Sequence, residues 1–215
     1  MNRPLRLHDP VLAAALVAIA VTGCHSPMTS ALPPSPAGSE AVPPNMVPPP
    51  GHGPYTGTVA DWPLWFVRHN FGAHCFDTRS CEVLYNQFPH GSDDPSPSVA
   101  SYERPLDKLL PASFLSIANF PPPAVVTWRS KDGTPLRTEI DIGEIFNDRL
   151  IRHNVAREDI PEEIGIHNPD IVLEVNDRTI NVYMRAFIPT KELQVPGNKH
   201  SDFRNDLIKV YSRTY

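Results

Sequence analysis

Ten of the chain's 26 prolines fall between Ser26 and Pro54, a stretch whose gaps are mostly Ser, Gly and Ala and whose only acidic or basic residue is Glu40. Proline fixes φ and carries no backbone donor, so this segment cannot form helix or sheet and holds too few large apolar side chains to build a core. Proline-rich chain favours the extended polyproline conformation at about 3.1 Å per residue, so some thirty residues reach as far as roughly 90 Å. The segment therefore reads as a tether, and the folded part is confined to Tyr55–Tyr215, the size of one domain.

Ahead of the tether, Arg3 and Arg6 precede the apolar run Val11 to Thr22, which closes on Gly23-Cys24. Twelve residues are too few to cross a hydrocarbon core, which needs about 20. A basic start, a short apolar run and small residues before a cysteine are the pattern of a bacterial lipoprotein signal peptide. The expected organisation is a signal peptide over 1–23, a lipidated Cys24 opening a tether over 24–54, and a single domain over 55–215. Several acyl chains on Cys24 would anchor the protein durably, whereas one binds only marginally. His25, where inner-membrane retention favours Asp, points to the outer membrane with the domain facing the periplasm.

Removing residues 1–23 takes away Arg3, Arg6 and Asp9, leaving 17 basic against 23 acidic side chains, a net −6. A nucleic-acid binder needs a basic face to neutralise phosphates, so that class is excluded as an expectation. Cys75 and Cys81 are the only cysteines after Cys24, and export places them in an oxidising compartment, so a structural disulfide is expected. Their spacing is C-x5-C, not the C-x-x-C of a redox motif.

The segment Leu64 to Tyr85 is rich in aromatic and β-branched residues on either side of Asp77-Thr78-Arg79-Ser80, which predicts two strands of a hairpin with the cysteines facing each other near its base. From Ala124 to Ile142 two alternating runs flank Lys131-Asp132-Gly133-Thr134, and Asp-Gly there predicts a second hairpin. A third follows, with Ile171, Leu173 and Val175 alternating before Asn176-Asp177, and Ile180, Val182 and Met184 after it. Gly143 to Arg152 places Ile145, Phe146, Leu150 and Ile151 at helical spacing, with Glu144 early and Arg149 and Arg152 late, as the helix dipole favours. Asp206 to Tyr211 fits a strand or a helix. The fold class expected is α+β: an antiparallel sheet of about six strands built from hairpins, with one short packed helix and one disulfide-stapled hairpin.

No G-x-S-x-G, S-x-x-K or H-E-x-x-H motif occurs, and the histidines of the folded part, at 69, 74, 90, 153, 167 and 200, show no metal-ligand spacing. No catalytic residue, metal or cofactor is therefore expected. His69 and His74, five apart, should point to opposite faces of a regular strand. Glu139 with Asp141, Glu162-Glu163 and Asp93-Asp94 are read as solvated acidic surface, because sequence neighbours do not supply two carboxyls across a cleft. Asp93 and Asp94 lie in the long irregular stretch Gln87 to Arg104, and loops of that length are often binding elements. The hairpin tip Trp128 to Thr134, with Trp128, Arg129, Lys131 and Asp132, is the second candidate contact, and packing plus turn chemistry accounts for the same residues equally well.

The segments Trp62 to Asn86 and Phe120 to His153 resemble those of a family of small proteobacterial lipoproteins of uncharacterised-domain type. Such lipoproteins tend to accompany type VI secretion phospholipase effectors as immunity proteins. The resemblance implies a periplasm-facing inhibitor, not an enzyme, whose partners are a cognate secreted phospholipase and, through its lipid, the membrane. The alternative expectation is a structural or assembly lipoprotein of the envelope, which would contact peptidoglycan or outer-membrane components instead of a toxin.

Overall fold

The computed structural model describes residues 42–215; the expected signal peptide, Cys24 and the expected tether as far as residue 41 lie outside the described residues. The domain is mostly sheet. In chain order the strands are β1 (Arg68–Phe76), β2 (Thr78–Tyr85), β3 (Phe88–Ser92), β4 (Phe114–Ala118), β5 (Ala124–Ser130), β6 (Pro135–Ile140), β7 (Asp170–Asn176), β8 (Thr179–Arg185), β9 (Ile188–Pro189), β10 (Phe203–Arg204) and β11 (Leu207–Thr214). The expected single sheet of about six strands is instead a five-stranded sheet, β11-β8-β7-β1-β4, a four-stranded sheet, β3-β2-β5-β6, and the pair β10-β9.

The two larger sheets pack face to face on one core, which takes Phe71 from β1, Ile171, Leu173 and Val175 from β7, and Ile180, Val182 and Met184 from β8 on one side. Val83 and Tyr85 from β2, Val126 and Trp128 from β5, and Ile140 from β6 supply the other. The far face of the five-stranded sheet is covered as well. There Phe76, Val172 and Tyr183 pack with Leu110, Val99, Leu106 and Leu109 from the stretch 97–112. Arg185 holds that stretch by donating from Nη1 to the Leu110 carbonyl at 3.2 Å, and His74 Nε2 donates to the Pro111 carbonyl at 2.8 Å. Gly72 lets the stretch lie flat, since a Cβ there would run into the Pro111 carbonyl oxygen. Under the cover, the buried Glu174 side chain accepts from Asn181 Nδ2 at 2.9 Å, Tyr183 Oη at 2.7 Å and Asn176 Nδ2 at 3.1 Å, the hydrogen bonding that a buried polar group requires.

The second and third expected hairpins form, with Ala124–Ser130 paired antiparallel to Pro135–Ile140 and Asp170–Asn176 to Thr179–Arg185. The first does not. β1 and β2 follow each other across Asp77, which sits at φ 51°, but belong to different sheets, so the Cys75–Cys81 disulfide staples a corner between sheets. β1 pairs instead with β7, in parallel, from Asn70↔Asp170 to Phe76↔Asn176, so the sheet is mixed and not antiparallel throughout. The Asp77 turn satisfies the local signal for a chain reversal, and burial of both apolar strands on opposite sides of one core decides which sheet each joins.

The expected helix over Gly143 to Arg152 is a single turn, Ile142–Ile145, capped by Asp141 Oδ1 accepting from the Glu144 amide at 3.0 Å. It ends because Asp148 turns its carboxylate on the Leu150 amide at 3.0 Å, a local bond that competes with the helix, and Arg149 adopts φ 54°. Leu150 then bridges to Trp65. The segment from Asp206 on is strand β11, at the free edge of the five-stranded sheet. Within the stretch Gln87 to Arg104, residues 88–92 form β3.

The folded unit also begins ahead of Tyr55. Pro49 is buried, Asn45 Nδ2 donates to the Val67 carbonyl at 3.2 Å, and His52 Nε2 donates to the Pro63 carbonyl at 3.0 Å.

Candidate functional site

The candidate contact residues gather at one end of the sandwich, where β1 turns into β2. Thr78, the first residue of β2, pairs with Ser130 of β5 on one side and bridges to Ser96 on the other. Asp93 and Asp94, just beyond β3, and the tip of the β5–β6 hairpin therefore flank the same strand end. Adjacent strands lie about 4.8 Å apart, which puts the two candidates about 10 Å from each other. The Asp94 amide donates to Ser92 Oγ at 3.0 Å, which folds the loop start back on β3 and leaves both carboxylates exposed.

The hairpin tip is rigid. Asp132 Oδ1 accepts from Ser130 Oγ at 2.6 Å and from the Thr134 amide at 2.8 Å, while Gly133 supplies φ 90°. The Ser130 and Thr134 hydrogen bonds hold the exposed Asp132 carboxyl well below the usual carboxylate range. Lys131 reaches Asp77 Oδ1 with Nζ at 3.0 Å, and its amide donates to Asp177 Oδ1 at 2.9 Å. Arg79 Nε donates to the Lys131 carbonyl at 3.0 Å, and Arg129 Nη1 to the Gly133 carbonyl at 3.3 Å.

Trp128 is not part of this surface. Its side chain is 1% exposed, stands edge-on to Tyr215 and donates from Nε1 to the Asp177 carbonyl at 2.8 Å. The reason is strand alternation: Ala124, Val126, Trp128 and Ser130 face the core, which leaves Val125, Thr127 and Arg129 on the outer face. Extending the period of two from Ala124 through Val126 would have placed the indole inside. The indole is a peg that fixes the β7–β8 turn to the hairpin. Through it the turn joins the end: Arg178 approaches Asp132 Oδ2 at 3.6 Å and donates from Nε to the Tyr215 carbonyl at 2.7 Å. Asp77, Asp177 and Arg178 are thus members that sequence reasoning did not single out. The Asn176-Asp177 turn marked a reversal, but nothing local says that it meets a hairpin some 46 residues away.

No protein-family model, curated protein or solved structure matches this chain. The outer face of the four-stranded sheet runs on from this end. Glu82, Thr127 and Arg137 lie abreast across its strands, and beside them Leu84, Val125 and Glu139. Leu84 is an exposed large apolar residue of this face, and a shallow apolar groove of about 230 Å³ lies between Leu84, Gln87, Pro122, Pro123 and Val125, whereas Phe88, opposite Tyr85 in register, lies on the inner side and stacks on Phe114.

His69 and His74 do point to opposite faces of β1. His69 lies between the sheets, accepting at Nε2 from Tyr85 Oη at 3.0 Å and donating from Nδ1 to Asn119 Oδ1 at 2.7 Å. Its burial pushes its pKa down to about 4, so the ring is neutral. Glu139 and Asp141 stand with Glu144, Tyr211 and Arg213 on a groove of about 440 Å³. Glu162 pairs with Arg157 at 2.6 Å on the surface. Among the described residues, no group of three or more His, Cys, Asp or Glu is arranged to hold a metal ion.

Proposed function

We propose that this protein is a lipid-anchored immunity protein, which binds a type VI secretion phospholipase effector in the periplasm and neutralises it without catalysis. The observation that carries the reading is the asymmetry of the sandwich: the four-stranded sheet keeps an uncovered outer face, running into a rigid end that displays Asp93, Asp94, Arg129 and Lys131. Aliphatic and charged side chains interspersed on a stiff platform suit a protein partner, where a central apolar patch supplies affinity and rim charges supply register. The reading is supported by the resemblance of Trp62 to Asn86 and Phe120 to His153 to the immunity lipoproteins, which suggests the partner class, and by the signal-peptide pattern ending on Cys24, which would put the chain where such an effector acts. Covering the effector's active-site cleft or lid would keep it from membrane phospholipid.

The test is capture with the lipid-free chain, residues 25–215, on lysate of the native host, followed by lipase assay of the bound protein. A secreted lipase held one to one and inhibited, with no turnover of the bound partner, supports the proposal. Recovery of only peptidoglycan or outer-membrane components would replace it with the assembly role.

A further inference from the structure

The last part of the proline-rich stretch is held by one residue more than by any other. Arg149 donates from Nη1 to the Asn45 carbonyl at 3.1 Å and from Nη2 to the Val47 carbonyl, while its guanidinium lies 5.2 Å over the Trp65 ring. Proline-rich chain offers few amide donors, so its carbonyls need outside partners, and a planar fork with several donors suits two of them at once. Trp65 is also flanked by Tyr55 at 4.9 Å and His52 at 6.1 Å, so the segment wraps the indole. Asn45 adds its bond to the Val67 carbonyl, next to the start of β1.

We infer that Val42–Gly53 is a strap clamped by Arg149, which fixes where the lipid-bearing leash leaves the domain and turns the end carrying Asp94 and Lys131 away from the membrane. The inference rests on the lipid-anchored reading of Cys24. The clamp lies at the first residues of β1, and Asp77 lies at the other end of that strand, nine residues on and about 30 Å away. The exit side carries exposed apolar residues, Val42 at 61%, Val47 at 49% and Trp62 at 38% exposure, a composition at home against lipid headgroups. The clamp also limits reach. Residues 24 to 42 span at most about 60 Å, and releasing 42–53 would add up to about 40 Å.

The experiment uses the full-length lipidated chain in vesicles of phosphatidylethanolamine and phosphatidylglycerol doped with an acceptor lipid. A donor dye is placed at Val47→Cys or at Asp94→Cys. Energy transfer should be several-fold greater from position 47, and Arg149→Ala should narrow that difference. In parallel, thermolysin should cut the Arg149→Ala chain between Asn45 and Val47 at least tenfold faster than the parent. Asn45→Ala, which leaves every core residue in place, should move both readings the same way by less. Equal transfer from the two positions, or equal cleavage of parent and variants in the lipidated chain, would overturn the inference. Absence of lipid on Cys24 by mass spectrometry would instead remove the anchor, and the orientation with it, while cleavage rates still decide whether the strap exists.

Discussion

The two sheets differ in how many faces they bury. β7 and β8 each bury five consecutive residues, because the second sheet covers one face and the stretch 97–112 the other. β2 and β5 bury mainly alternate residues and leave Glu82, Leu84, Thr127 and Arg129 in solvent. A sheet buried twice has no side free for a partner and contributes stability. A sheet buried once contributes half a core and one surface, and in this molecule that surface adjoins the end that gathers the charged loops.

The division can be attacked directly. Leu173→Ala, in the fully buried sheet, should cost about 2 to 5 kcal/mol, through lost burial plus the cavity left in a packed core. Urea unfolding measures it, and a cost near zero would mean that the doubly buried sheet is not the stability centre. The next largest effect is on pH dependence. His69 sits between the sheets with its pKa pushed down to about 4, whereas an unfolded histidine titrates near 6.5. Below pH 6.5 the unfolded chain therefore binds a proton that the native ring refuses. Stability is complete above pH 6.5, falls as pH drops towards 4 and levels off below, by about 3 kcal/mol across the window. Burial shifts His74, His90 and His153 in the same direction and steepens the slope. Comparing urea midpoints at pH 7 and pH 4.5, His69→Gln should flatten the dependence.

Smaller still, reduction of Cys75–Cys81 should cost about 2 kcal/mol, the chain-entropy value for so short a loop, although the bridge now joins two sheets. The smallest changes belong to the bare face. Glu82→Ala should leave stability within about 0.5 kcal/mol, since it removes an exposed side chain, and Leu84→Ala, at 40% exposure beside Pro122 and Val125, should cost about 1 kcal/mol. Their effect should appear in partner affinity.

The same difference explains which parts of the fold were legible in the sequence. The β5–β6 hairpin could be read because Asp132-Gly133 demands a tight turn and one face of each strand is polar. The disulfide could be read because Cys75 and Cys81 are the only cysteines after Cys24 and export of the domain was the expectation. The pairing of β1 with β7 could not, since its register joins residues 100 apart with no local signal. Asp77 looked like a hairpin turn because a corner between sheets uses the same positive-φ residue that a reversal does. Of the candidate site, Asp93, Asp94, Arg129, Lys131 and Asp132 lie at one exposed end, whereas Trp128, for which contact and packing were both open, packs inward because the strand period points it there. Arg149 was read as a helix-end charge, and its role as a clamp depends on a proline-rich partner 102 to 104 residues earlier.

The most direct measurement is hydroxyl-radical footprinting of the one-to-one complex with the captured lipase. The account predicts protection of Leu84, Arg129, Lys131 and Pro135, with Tyr102 and Leu106 of the covering stretch unchanged. Protection confined to the covering stretch, with the four-stranded sheet still reactive, would contradict it.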